Sequence, residues 1–118
     1  MRLLILFILT PWILSSENEI NEAWCSGIGG NDQYITKYGT YVDCLTEQYA
    51  IETEFDYKWK EAIGQSLHYA EATNKKAAIL LIKRKKSNKN YYNELMLSLI
   101  HISEPTRRRG MSYAVFWV

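Results

Sequence analysis

The spacing of apolar and polar positions changes period several times along this chain. From Glu17 to Trp24 the sequence ENEINEAW sets Ile20 and Trp24 at i,i+4, which predicts a short helix with those two side chains on one side. Gly27, Gly29 and Gly30 end it. Gln33 to Lys37 and Thr40 to Leu45 are rich in Tyr, Ile, Thr and Val around Tyr38-Gly39, which predicts a hairpin, and Tyr49 to Phe55 predicts a third strand. Strand alternation places Asp43 with Tyr41 and Leu45, Val42 with Cys44 on the other face, and Glu52 with Glu54. Lys58 to Thr73 then follows a helical period, with Asp56 as N-cap, Asn74 beyond its end, and Trp59, Ile63, Ser66, Leu67 and Ala70 in the core arc. A narrower arc holds Lys58, Ala62, Gln65 and Tyr69, and His68 falls on the solvent side. Lys76 to Ile82 is apolar without alternation, as in a strand covered on both faces, and NYYNELM opens another helix. Together these elements predict an α+β fold with a small mixed sheet: a hairpin plus a third strand, one crossing helix and a return strand.

The two ends follow different patterns. Arg2 precedes an apolar run from Leu3 to Leu14, shorter than the roughly 20 residues a membrane span needs and interrupted by Pro11. Residues 1–16 therefore predict a signal peptide, or alternatively an uncleaved anchor, and with it a secreted or periplasmic protein. At the other end, LSLIHISEPTR and the later SYAVF resemble translated sequencing adapter over Leu97 to Val118. That resemblance implies a native frame cut near Met96, one domain spanning residues 17–96, and no functional weight for His101, Arg107, Arg108 or Arg109.

The charge changes once the ends are set aside. The 118-residue chain carries +1, but residues 17–96 hold 10 Lys and Arg against 12 Asp and Glu, a net −2. Near-neutrality excludes a protein that coats nucleic acid through bulk charge. The run Lys83, Arg84, Lys85 and Lys86, with Lys89 after it, is either a solvated loop or a local patch that follows phosphates. Cys25 and Cys44 are the two cysteines. In an exported domain this small they read as a disulfide closing a loop of about 20 residues, the alternative being two buried thiols. No CxxC or paired His suggests zinc, and GIGG lacks the preceding strand and following Lys-Ser/Thr of a phosphate loop.

Asp43, Glu52-Thr53-Glu54, Lys58, Gln65 and Tyr69 set acid, acid, base and amide in order along strand, turn, strand and helix. That order resembles the PD-(D/E)xK, restriction-endonuclease-like nuclease superfamily, and Gln65 to Tyr69 resembles the QxxxY motif of its RecB and lambda-exonuclease-like branch. The resemblance covers Gln33 to Ile82, and the segment as a whole is similar to small, signal-bearing bacterial proteins. It departs where Glu54 occupies the expected Lys slot and where no Pro precedes Asp43. The resemblance implies Mg²⁺ or Mn²⁺ held by Asp43, Glu52 and the Thr53 carbonyl. Lys58 stands in for the missing Lys, and Glu54 serves as a further ligand or as base. Gln65 would reach water or phosphate, and Tyr69 a base or a phosphate oxygen. It implies hydrolysis of DNA phosphodiester bonds and allows a homodimer. Glu54 in the Lys slot favours the alternative, a binding module of the cell envelope that keeps the fold without catalysis.

Overall fold

The computed structural model describes residues 16–83, 89–107 and 113–117. It is an α+β fold. Helix α1 (Glu17–Gly27) precedes strands β1 (Cys44–Leu45) and β2 (Tyr49–Phe55), and a 3₁₀ turn (Asp56–Lys58) leads into helix α2 (Trp59–Thr73). Strand β3 (Lys76–Ile82), helix α3 (Tyr91–Arg107) and strand β4 (Tyr113–Trp117) follow. The sheet runs β1-β2-β3-β4, with β1 antiparallel to β2 and both later pairs parallel.

Alternation along β2 and β3 builds two packed faces. Ile51, Ala78 and Leu80 pack with Cys25 and Cys44 on the α1 side, whereas Ile79 and Leu81 meet Trp59, Ala62 and Leu95 on the side of α2 and α3. β3 is buried from Ala77 to Ile82, as its unbroken apolar run predicts. At about 25 cal/mol per Å² of apolar surface, this strand supplies much of the hydrophobic stabilisation.

Several local expectations are corrected. The hairpin of Gln33–Lys37 and Thr40–Leu45 reduces to an Ile35–Tyr41 bridge, an Asn31–Leu45 bridge and the short β1. Two backbone bonds cross this turn, Thr36 N–H to the Thr40 carbonyl (2.8 Å) and Val42 N–H to the Tyr34 carbonyl (3.0 Å), and Thr36 Oγ1 adds Thr40 Oγ1 (2.6 Å) and the N–H groups of Tyr38 and Thr40 to them. Asp56 is not the N-cap of α2; it is buried in the 3₁₀ turn, and Lys58 holds the cap position without a side-chain cap bond. The buried face of α2 is Trp59, Ala62, Ser66, Tyr69 and Ala70, with Ile63 and Leu67 half-buried. On α1 the buried residues are Asn21 and Cys25, with Ile20 and Trp24 half-buried. His68 is half-buried, with Nε2 2.9 Å from Thr40 Oγ1, so it ties the Thr36–Thr40 turn to α2.

Residues 1–15, Arg84, Lys85, Lys86, Arg108 and Arg109 lie outside the described residues. Beyond Met96, Leu99 packs on the α3 side and β4 pairs with β3. That pairing covers the far edge of β3 from Ala77 to Leu81.

Cys25 and Cys44 are joined, S–S 2.06 Å, which ties α1 to β1. Gly30 crosses the bridge so closely that a Cβ there would lie 2.4 Å from Cys44 Sγ and 2.7 Å from Cys25 Sγ. Gly30→Ala should therefore cost about 2 kcal/mol through overpacking. Thermal melting of the oxidised protein checks this, and the deficit should shrink in reductant; an alanine variant as stable as the parent would show that the loop gives way.

Candidate functional site: a buried carboxylate cluster

The site forms where β1 leaves β2. The register pairs Cys44 with Ile51 and Leu45 with Ala50, so the next hydrogen-bonded pair in the ladder would be Val42 with Thr53. Val42 instead gives its N–H to the Tyr34 carbonyl (3.0 Å). The Thr53 N–H goes to Asp43 Oδ2 (2.8 Å), a side chain in place of a strand carbonyl. The split thus turns the Asp43 carboxylate onto β2 and takes from the Thr53 carbonyl its ladder donor.

Helix α1 holds that split open. Asn21 Nδ2 donates to the Asp43 carbonyl (2.8 Å), and Asn21 Oδ1 accepts from Thr53 Oγ1 (2.5 Å). One side chain therefore grips both strands where they part. The sequence reading missed it, and also missed Glu17. Glu17, Asn21 and Cys25 recur at i,i+4,i+8, and the bridge from Cys25 to Cys44 is the signal that turns this face toward Asp43.

On the other face of β2, Glu52 and Glu54 are 2% and 6% exposed. Glu52 is hydrogen-bonded to Asp43 and to the Tyr69 phenol, yet its Oε2 has no partner among protein atoms. Burial, followed by the Asp43 charge and hydrogen bond and the charges of Glu54 and Glu17, pushes the Glu52 carboxyl up to about 10. Glu17 is raised to about 7 by burial, its hydrogen bond to Glu54, and the charges of Glu54 and Asp43, while Lys58 opposes the rise. The Tyr69 phenol is pushed upward by burial and then by Glu52 and Asp43. Glu54 Oε1 accepts the Phe55 N–H at 3.1 Å.

The structure therefore brings together Asp43, Glu52, Thr53, Glu54 and Tyr69, with Lys58 exposed at the foot of α2 and close enough for its charge to act on Glu17. Gln65, one turn before Tyr69, is exposed. Lys83 is exposed at the end of β3, and its basic neighbours Arg84, Lys85 and Lys86 lie outside the described residues.

The donor set suits a hard cation: carboxylate oxygens, a carbonyl released from its ladder and one orphaned buried oxygen. Among the described residues no three carboxylate, imidazole or thiol groups already form a cage. Mg²⁺ does not need one, because it retains several waters and binds through one or two carboxylates. Among the described residues, no helix is long and apolar enough to cross a membrane.

No family model and no solved structure matches the chain. It is 35% identical over 88 residues to a protein of Acanthamoeba polyphaga mimivirus that carries the name of a KilA-N domain-containing protein. The match takes in 74% of this chain, which spans 23% of the length of that relative.

Proposed function

We propose that the chain is a divalent-metal-dependent nuclease that hydrolyses DNA phosphodiester bonds in the periplasm or outside the cell. The orphaned, buried Glu52 Oε2 beside Asp43 carries this reading: a buried carboxyl oxygen without a hydrogen bond is costly, and a cation shared with Asp43 would satisfy it and favour the ionised form. Asp43, Glu52 and the Thr53 carbonyl would hold Mg²⁺ or Mn²⁺, which when bound would supply Lewis acidity and a water of lowered pKa. The Tyr69 phenol and Asn21 fix the two acids in place. Glu54, beside Glu17, would serve as a further ligand or as base, and the exposed Lys58 would hold an incoming phosphate. Gln65 and Lys83 lie on the surface, where a strand of nucleic acid would run. The disulfide and the signal-like start of the chain support an oxidising compartment.

Calorimetry with Mn²⁺ on the oxidised protein tests the proposal. The parent should bind with micromolar to submillimolar affinity, and Asp43→Ala should lose at least about tenfold, because a ligand and the Thr53 anchor go together. Metal-dependent cleavage should fall by about a thousandfold in the same variant. Equal Mn²⁺ affinity in parent and variant would end the proposal.

A second reading is favoured by Glu54, which fills the Lys slot and is buried with Oε1 on the Phe55 N–H. It makes the chain a binding module of the envelope without catalysis. Nucleic-acid binding that is indifferent to Mg²⁺, with no cleavage, would select it.

A further inference from the structure

The turn region between α1 and β1 exposes more apolar surface than a free loop needs. Ile35 is 51% exposed, Tyr38 58% and Tyr41 63%. Ile35 and Tyr41 are bridge partners, so they stand side by side, and Tyr38 lies at the tip with Lys37 Nζ 5.1 Å from its ring centroid. Between Gln33 and Val42 there is one Lys and no acid.

This surface is held rigid. The Thr36 and Thr40 hydroxyls meet at 2.6 Å, Thr40 Oγ1 lies 2.9 Å from His68 Nε2, and Gly39 takes the positive φ of 82° that closes the turn. Ordering an exposed loop through part-buried hydroxyl bonds lowers the entropy lost when it captures a ligand. The loop also leads inward. The Tyr38 ring lies 5.7 Å from His68, His68 lies 5.8 Å from Tyr69, and the Tyr69 phenol is hydrogen-bonded to Glu52. A series of rings thus joins the exposed tip to the carboxylate cluster.

We infer that this turn is a stacking platform for single-stranded nucleic acid, taking unpaired bases on Tyr38 and Tyr41 and a backbone phosphate on Lys37. Flat exposed rings beside a lone cation suit unstacked bases, which offer a π-face whatever their sequence, whereas a duplex hides those faces and presents phosphates that this weakly charged surface would hold poorly. The inference rests on the nuclease reading for what happens to the strand, but the binding step stands apart from metal and cleavage.

Fluorescence anisotropy on the whole chain in EDTA, with a labelled mixed-sequence oligonucleotide of about 16 nucleotides, tests it against the same sequence as duplex. The single strand should bind at least about tenfold more tightly than the duplex. Tyr38→Ala with Tyr41→Ala should weaken it by about tenfold or more, and the paired Phe substitutions should restore most of the loss. Mn²⁺ calorimetry on the alanine pair should match the parent, which also shows that the variant is folded. Equal affinity for both strand forms, or an alanine pair that binds like the parent, overturns the inference. So does concentration-dependent self-association that the alanine pair abolishes while oligonucleotide binding is absent, since the surface would then join copies of the chain. In each case retained Mn²⁺ binding leaves the nuclease reading standing; loss of Mn²⁺ dependence with intact strand binding removes only that reading.

Discussion

Glu52→Gln should make the metal-free protein more stable while removing its affinity for Mn²⁺. The Glu52 carboxyl is held at about 10 in the fold against an ordinary 4.5, so at pH 7 it is protonated when folded and ionised when unfolded. Folding must therefore take up a proton, which across the interval from 4.5 to pH 7 costs about 3 kcal/mol at 1.36 kcal/mol per unit. Gln keeps the shape and needs no proton, so the variant should gain about 2–3 kcal/mol, or roughly 10–20 °C in melting temperature for a domain this small. The sign fixes the pH window. A carboxyl raised by folding contributes its full stability below 4.5 and loses it as pH climbs toward 10, with Glu17 adding a smaller loss between 4.5 and about 7. The gap between parent and variant should accordingly widen from pH 5 to pH 9 in EDTA, and Mn²⁺ should narrow it by stabilising the parent alone. Thermal melts at pH 5, 7 and 9 measure this. A variant less stable than the parent throughout would mean that Glu52 is an ordinary structural acid.

The parts of the fold that were legible in the sequence are those in which a single physical pattern dominates. Lys76–Ile82 forms its strand with the predicted bounds because an unbroken apolar run has few other ways to be buried. Tyr49–Phe55 does likewise, and its alternation places Glu52 and Glu54 on one face. The hairpin around Tyr38-Gly39 closes where predicted but is shorter than its strand-forming residues suggest, because past the Ile35–Tyr41 bridge and the Val42–Tyr34 bond the chain bends at Asp43 instead of continuing the ladder. Helix α1 forms where its period and the following glycines predict, but its buried residues, Asn21 and Cys25, look like a solvent face until a disulfide and a split strand give them partners.

The candidate site divides in the same way. Glu52 and Glu54 share a face of β2 through strand alternation and Tyr69 meets Glu52 from the helical repeat of α2, whereas Asp43 joins them because the chain leaves the ladder there and turns its carboxylate onto the Thr53 N–H. Gln65 shares the repeat but sits one turn nearer the exposed start of α2, so spacing alone overstates its part. Lys58 is near enough to act on Glu17 through charge, yet exposed. Asn21 could be found only from long-range pairing, since 22 residues separate it from Asp43 and 32 from Thr53.

That long-range pairing makes the Cys25–Cys44 bridge the other large lever on this protein. Its loop has a sequence separation of 19, so replacing both cysteines by Ser should cost about 3 kcal/mol in the chain-entropy account, a large share of what one small core supplies. The loss should not stop at stability. Cys44 follows Asp43 in β1, and Cys25 lies one helical turn beyond Asn21, whose amide grips the Asp43 carbonyl and the Thr53 hydroxyl. Without the bridge α1 is held to the sheet by far less, and the grip of Asn21 on Asp43 and Thr53 loosens. Mn²⁺ affinity should then fall by about tenfold even at a temperature where circular dichroism shows the variant folded, because the two acids are no longer held in one geometry. Asn21→Ala separates the two effects: it leaves the bridge and should reproduce most of the loss in affinity with only about 1–2 kcal/mol of the loss in stability. If the Ser pair binds Mn²⁺ as the parent does, the bridge fastens the helix and nothing more, and Asp43 keeps its place through Thr53 alone.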